Sequence, residues 1–400
     1  MRIFASRSSA ILACALWTMG CGGQGAAEPA TPATPFDLPK VISLGGPVLS
    51  APKVQAIYLE GHPFVAEVDD FLARLAASSF WPAVVGEYGI GGLTVLASHT
   101  SSVPGPASIV TSDVPMLFAQ VMTADAAALG AASRDTMYLL LLPSSTQVTM
   151  SGQSLCQATT ASGYHTEATV NGTTVALIVV PFCTSNPGDG SLTGASVLTP
   201  TISHEVVEAA TDPFPSSAPA YLTTDEPHAM WAVAVNGGEV ADLCENESPD
   251  LVTPGDIGWP VQRIWSNAAV DAGTGPCVPV PPGEIYFAAV PALPDQVRVQ
   301  RNGKAFSVPA LRAQLGATAT VAVHLRSESD QPPSWAVGAL EYHSDAPLTG
   351  VAHPTLGLNR QTVSLRVVAN AAAAGVFPLI VESAARDAVH FWIGTVWRQQ

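Results

Sequence analysis

At 400 residues the chain is long enough for two or three domains, and its 48% hydrophobic content excludes general disorder. Only 12% of residues are charged and the net charge is −16. Such an acidic surface repels phosphate backbones, which argues against nucleic acid as a partner. It also concentrates divalent cations.

The first residues follow an export pattern: a basic start with Arg2 and Arg7, an apolar run at 10–19, then small residues around Gly20 and Cys21. The apolar run is too short to span a bilayer permanently. Residues 18–23 (TMGCGG) resemble a bacterial lipoprotein processing site with Cys21 as the lipidated residue. Cleavage near Ala27 without lipid is the alternative. Gly22 after the cysteine implies, by resemblance to sorting rules, the outer membrane. The expectation is an exported protein of the cell envelope or surface, held on the membrane by a lipid anchor.

Residues 1–21 then form the signal peptide and 22–36 a flexible tether rich in small residues and proline. The core domain is expected at 37–278. Residues 53–59 read as a strand and 64–77 as a helix, with Phe64, Val68, Phe71, Leu72 and Leu75 at helical spacing. The continuous apolar runs at 137–142 and 175–180 read as buried strands. Residues 199–211 read as a helix with Thr199 as N-cap, Pro200 in the first helical position and Pro213 as the stop. The core is therefore α/β or α+β with a central sheet. A stiff proline-rich linker follows at 278–283. From 283 to 400 the hydrophobic period is two, as at Val321, Val323 and Leu325 or Val363, Leu365 and Val367. This predicts an all-β sandwich of Ig-like type, with Pro378 marking an edge strand.

Four cysteines lie in the core: Cys156, Cys183, Cys244 and Cys277. They allow three pairings, of which the nearest-neighbour choice is Cys156–Cys183 with Cys244–Cys277. Disulfides fit an oxidising compartment. A tetrathiolate zinc site would favour a C-x-x-C pair, and the chain has none.

The chemistry-bearing motif is SHEVVEAATDP at 203–213. His204 and Glu208 are four apart, on one helix face with Cβ atoms roughly 5–6 Å apart. That spacing brings an imidazole nitrogen and a carboxylate oxygen to one metal ion. Glu205, beside the first ligand, holds the place of the general base in the related H-E-x-x-H motif. Glutamate in place of the second histidine makes the site harder and more anionic. The helix is otherwise apolar, and buried charges need partners. A third ligand must come from elsewhere. Asp225, Glu226 and His228 are within reach in sequence, but the segment GEVADLCE at 238–245 is favoured, with Glu239 as ligand and Asp242 supporting His204. A helix pair bearing these residues is the zincin-like arrangement. His165 is a candidate donor to a substrate carbonyl.

These blocks accumulate into a resemblance. LGGPVLS at 44–50, GYHT at 163–166, the His204–Pro213 motif, EVADLC at 239–244 and VQRIWSN at 261–267, with Cys277 beyond, resemble in order the phosphate-induced, EXORDIUM-like proteins. The resemblance covers about residues 44–277. It implies a secreted, cell-wall-associated protein whose second ligand position is ordinarily glutamate. Glu60-Gly61-His62 stands where that family has an aromatic stretch, and the sandwich lies beyond the matched region. The expected function is a metal-dependent hydrolase, peptidase-like, with His204, Glu208 and Glu239 holding a divalent metal, zinc first, and Glu205 activating water. The alternative is a non-catalytic envelope protein that keeps a structural metal or polar cluster and binds a protein, peptide or cell-wall ligand. No G-x-S-x-G elbow and no phosphate loop occurs, which disfavours serine hydrolysis and nucleotide binding.

Overall fold

In a parallel sheet both faces are covered, so its strands read as unbroken apolar runs. Two such runs, in β2 (Thr136–Leu142) and β4 (Thr173–Pro181), lie parallel beside each other, and β1 (Lys53–Tyr58), apolar but for Lys53 and Gln55, lies parallel on the far side of β2. The computed structural model describes residues 36–399 except 157–161, 184–190, 236, 302–303, 331, 333, 342–354, 369–373 and 386–387. The expected signal segment, Cys21 and all of the tether but Phe36 lie outside the described residues. Phe36 is buried, with its ring 4.8 Å from that of Tyr286.

Strand β3 (Tyr164–Val170) is polar for much of its length and folds back antiparallel on β4 through Asn171-Gly172, both at positive φ. That is the turn chemistry a two-residue hairpin requires. The order is β1-β2-β4-β3, with the short strands Thr94–Val95 and His99–Thr100 along the outer side of β1. Side chains alternate between the faces. Ala56, Leu139, Ile178 and their same-face neighbours meet helices α1 (Val65–Ala77), α2 (Phe80–Val85) and α4 (Thr199–Thr211). Ile57, Leu140, Leu177 and theirs meet α3 (Val114–Ala124).

Helix α4 has the predicted bounds, but Leu198 rather than Thr199 holds the cap. The Thr199 hydroxyl instead donates to the Pro260 carbonyl at 2.7 Å, which ties the helix start to the segment crossing it. All thirteen residues of α4 are buried.

Beyond Gly283 the chain forms strands β5 (Phe287–Pro291), β6 (Asp295–Arg301), β7 (Lys304–Gln314), β8 (Thr318–Ser327), β9 (Trp335–Glu341), β10 (Thr355–Gly357), β11 (Thr362–Val368), β12 (Gly375–Ala385) and β13 (Ala388–Gln399). One sheet runs β5-β8-β11 and the other β6-β7-β13-β12-β9-β10. They meet over Val321, Val323, Leu325, Val337, Leu365 and Val381. Pro378 does not mark an edge: β12 lies between β13 and β9. Its pairing with β9 ends at Leu379, so at Pro378 the strand faces only Thr395 among the described residues.

The sandwich and the core share one apolar cluster. Across the junction, Ser248 and Val389 exchange backbone hydrogen bonds, His390 Nδ1 lies 2.5 Å from Glu247 Oε2, and Trp392 Nε1 donates to the Asp37 carbonyl. Arg263, buried, donates to the Cys277 carbonyl and to Glu284 on either side of the proline-rich stretch. The disulfides are Cys156–Cys183 and Cys244–Cys277, the nearest-neighbour pairing, and they fit an oxidising environment. No described helix is long and apolar enough to cross a membrane.

His228 pins the first described residues. Its Nδ1 lies 2.9 Å from Asp225 Oδ2, and its Nε2 lies 3.0 Å from the Asp37 carbonyl and 3.5 Å from the Asp37 carboxylate. Both nitrogens face acceptors. Burial opposes the charge, yet Asp225 and Asp37 raise the imidazole pKa to about 9. Its stabilisation is complete below the unfolded value, about 6.5, and is lost as pH rises through about 9. In denaturant titrations, the stability difference between the wild-type protein and His228→Gln should be largest near pH 6 and shrink through pH 9. A difference that does not change with pH would rule out the imidazolium.

Candidate metal centre

Register decides which way His165 points. In the β3–β4 hairpin it stands opposite Ile178, whose side chain belongs to the face covered by α4. Cross-strand partners share a face, so His165 looks at the helix. Close approach there depends on Gly163, where a Cβ would fall 2.6 Å from Thr201 Cγ2. The adjoining Ser162 and Thr201 hydroxyls are hydrogen-bonded at 2.5 Å. The GYHT segment is thus the meeting point of strand and helix.

On α4, His204, Glu205 and Glu208 line a cavity beside the end of strand β3, while Ile202, Val206, Ala209 and Ala210 pack with the apolar cluster of the sheet. Opposite them lies the segment from Gly237 to Glu245. It is a tight turn entering a single 3-10 turn (Asp242–Cys244), not the second helix the zincin-like arrangement predicts. Gly237 is required, because a Cβ would sit 1.8 Å from Asp242 Oδ2. That oxygen accepts from the backbone N–H groups of Gly238 and Glu239. The turn therefore swings Asp242 toward His204 and sends Glu239 toward His165.

His204 is held by a residue that the motif reading did not single out. Gln262 Nε2 donates to the Ala241 carbonyl at 2.8 Å, which aims Gln262 Oε1 at His204 Nδ1, 3.0 Å away. An amide oxygen accepts, so Nδ1 carries the proton. His204 Nε2 then faces Glu208 Oε2 at 3.0 Å and Asp242 Oδ1 at 3.8 Å, where a cation would take the place of its proton. Glu208 is anchored in the same manner: its Oε1 accepts from the N–H groups of Ala241 and Asp242, each at 3.2 Å, and Oε2 is left for the site.

The donor atoms of His204, Glu208 and Asp242 lie within 4.8 Å of one another. Two ligands each about 2.1 Å from one ion, at tetrahedral or octahedral angles, are about 3.0–3.4 Å apart. The trio therefore fits a metal ion with small adjustments. Asp242, not Glu239, completes this trio. Glu239 Oε1 lies 3.4 Å from His165 Nε2 and forms a compact group with His165 and Asp212. His165 also approaches Glu205 at 3.4 Å and Glu208 at 3.6 Å through Nδ1. Both its nitrogens face carboxylates, so it turns no N–H toward a substrate.

Glu205, Glu208, Asp212, Glu239, Asp242 and Glu245 thus surround two imidazoles. Burial pushes the Glu208 carboxyl well above the carboxylate range, against the pull of His204. Burial likewise raises Glu239 to about 7, opposed by His165 and reinforced by Asp242 and Asp212. Burial alone would lower both imidazoles. Glu239 and Glu205 hold His165, and Glu208 and Glu205 hold His204, well above the imidazole range. The same negative field attracts a divalent cation, and these buried His, Glu and Asp clusters can hold one.

The site lines a cavity of about 580 Å³. Its wall includes Ile42, Leu44, Leu222 and Leu251 from the core and Phe306 from the sandwich. Of the acidic stretch at 225–228, Glu226 reaches the cavity, whereas Asp225 and His228 are paired elsewhere.

Comparison with protein-family models finds no match, and comparison with curated proteins finds none either. Among solved structures, the chain is similar over 28% of its length to domains 4 and 5 of the S-layer protein SbsC, at 14% identity and a TM-score of 0.17, spanning 54% of that chain. It is similar to the sulfur carrier protein SoxY from Chlorobium limicola f thiosulfatophilum at 14% identity and TM-score 0.17, over 28% of this chain and 79% of that one. A beta-glucosidase from Listeria innocua matches 90% of this chain and 48% of its own at 10% identity and TM-score 0.20. Likenesses this weak carry no argument about fold or activity.

Replacing Gln262 by Leu removes the acceptor that fixes the His204 tautomer at similar volume. Chelator competition should show metal affinity reduced about 10–100-fold. Unchanged affinity would mean that Gln262 does not orient a ligand.

Proposed function

We propose that this chain is an exported, envelope-anchored metal-dependent hydrolase acting on peptides. The observation that carries the reading is the anchoring of His204, Glu208 and Asp242. Each uses one polar atom on a fixed partner and turns the other toward a common point. Such pre-orientation is what a metal site needs and is costly in its absence. A divalent cation held there, zinc first by its nitrogen and oxygen donors, supplies Lewis-acid chemistry for hydrolysis.

The chain's own residues supply the rest. Glu205 lines the cavity beside this trio and takes the proton of the attacking water. It returns that proton to the amine as the C–N bond breaks. Strand β3 ends the sheet, and among the described residues only β4 pairs with it. Its free edge suits an extended peptide added as a further strand, while the apolar cavity wall receives a side chain. The motifs that resemble the EXORDIUM-like family support a shared site: Leu44, Gly163, His204, Glu239 and Gln262 all line this one cavity. A zincin-like relationship rests on the same helix motif.

Two measurements test the reading. Glu205→Gln should lower cleavage of an unfolded protein substrate about 10²–10⁴-fold while the bound metal, measured by elemental analysis, stays unchanged. Full activity in that variant would exclude Glu205 as the base. A wild-type protein with no stoichiometric metal would exclude the metal-dependent reaction, and one with metal but no cleavage would favour the non-catalytic binding protein. For the anchor, Cys21→Ser should move the protein from the membrane to the soluble fraction. Retention on the membrane would count against lipid at Cys21.

A further inference from the structure

The geometry points to a second divalent-cation site, formed by His165 Nε2, Asp212 Oδ2 and Glu239 Oε1, separate from the His204 trio. The inference goes beyond the hydrolytic reading and stands without it. These three residues form one compact group in which each offers a ligand atom within 4.8 Å of the other two. Each of the three named atoms is sealed from solvent, and none makes a hydrogen bond; His165 Nε2 and Glu239 Oε1 approach each other only as an ion pair at 3.4 Å. Asp212 is fully buried, and the His165 side chain is 4% exposed. Buried polar atoms are ordinarily satisfied, and three that converge on one point with only a long ion pair among them suit a common partner.

The pattern of anchoring repeats that of the first trio. Asp212 Oδ1 accepts from the Ala220 N–H at 2.7 Å, which leaves Oδ2 for the site. His165 Nδ1 faces the carboxylates of Glu205 and Glu208 and can donate there, and a cation would replace the proton that Nε2 otherwise turns toward Glu239. A metal-bound imidazole characteristically gives its other N–H to a carboxylate in this way. One nitrogen and two carboxylate oxygens suit zinc or manganese better than calcium, which takes six to eight oxygens.

The three residues come from three elements: Asp212 caps α4, His165 lies on β3, and Glu239 lies on the turn facing the helix. Asp212 does not line the cavity, whereas His165 and Glu239 do. A cation here would therefore sit behind the cavity wall, clamp strand, helix end and turn together, and neutralise charge beside Glu208.

The test is metal stoichiometry of the purified full chain after equilibration with Zn²⁺ or with Mn²⁺ and removal of excess ion. The expected result is two equivalents with at least one of these ions, falling to one in Asp212→Asn and in Glu239→Gln. The first variant keeps Oδ1 to accept from Ala220, and the second alters a less buried side chain, so the pair guards against a folding defect. His204→Gln should also retain one equivalent. If the native chain binds a single ion that His204→Gln removes and the other two variants keep, the trio shares only a proton or water and the inference fails. No bound ion at all would overturn it together with the hydrolytic reading. A single ion lost with Asp212→Asn and Glu239→Gln but kept in His204→Gln would uphold this site and remove the first.

Discussion

A fully buried helix that carries His204, Glu205 and Glu208 and ends on Asp212 is the constraint around which the core is arranged. Uncompensated, one buried carboxylate costs several kcal/mol, and four ionisable groups on one short helix would exceed the net stability of an ordinary domain. Each neighbouring element therefore brings a polar partner. The turn at 237–245 offers the Ala241 and Asp242 N–H groups to Glu208, the segment after α4 offers the Ala220 N–H to Asp212, and the 261–267 segment offers Gln262 to His204. The edge strand offers His165.

These partners must themselves be fixed, and the fixing spreads to the rest of the molecule. The turn is tied by the Cys244–Cys277 disulfide and by the Trp265 N–H donating to the Val240 carbonyl. Cys277 lies where the chain leaves for the sandwich, and its carbonyl accepts from buried Arg263. The sandwich then closes on the core through Glu247, His390 and Trp392 and contributes Phe306 to the cavity wall. It buttresses the segment that positions Asp242 and Gln262.

Electrostatically, the centre is a pair of imidazoles in a ring of carboxylates, with His165 between the two groups of donors. Protonation of both imidazoles is one way to balance that charge, and divalent cations are another. The two compete for the same lone pairs, so metal affinity at such a site rises as the imidazoles lose their protons. The acidity of the whole chain, net −16, adds a long-range attraction for cations to the local one.

Much of this was present in one dimension. Unbroken apolar runs announced β2 and β4, because strands covered on both faces have no polar side to show. Helical spacing, with prolines at 200 and 213, bounded α4, because proline has few tolerated places near a helix. Two-residue alternation announced the sandwich, and near neighbours in sequence paired as disulfides. His204, Glu205 and Glu208 were legible because a four-residue interval is itself a local geometry. Contacts between segments were not legible. The direction of His165 depended on its register opposite Ile178, and the exchange of Asp242 for Glu239 depended on a turn with room only for Gly237. Asp212 read as part of the motif that ends a helix, and Gln262 only as one letter of the VQRIWSN block. Each acquires its part only when a distant segment meets it, since the interval along the chain that fixes a helix face says nothing about what packs across from it.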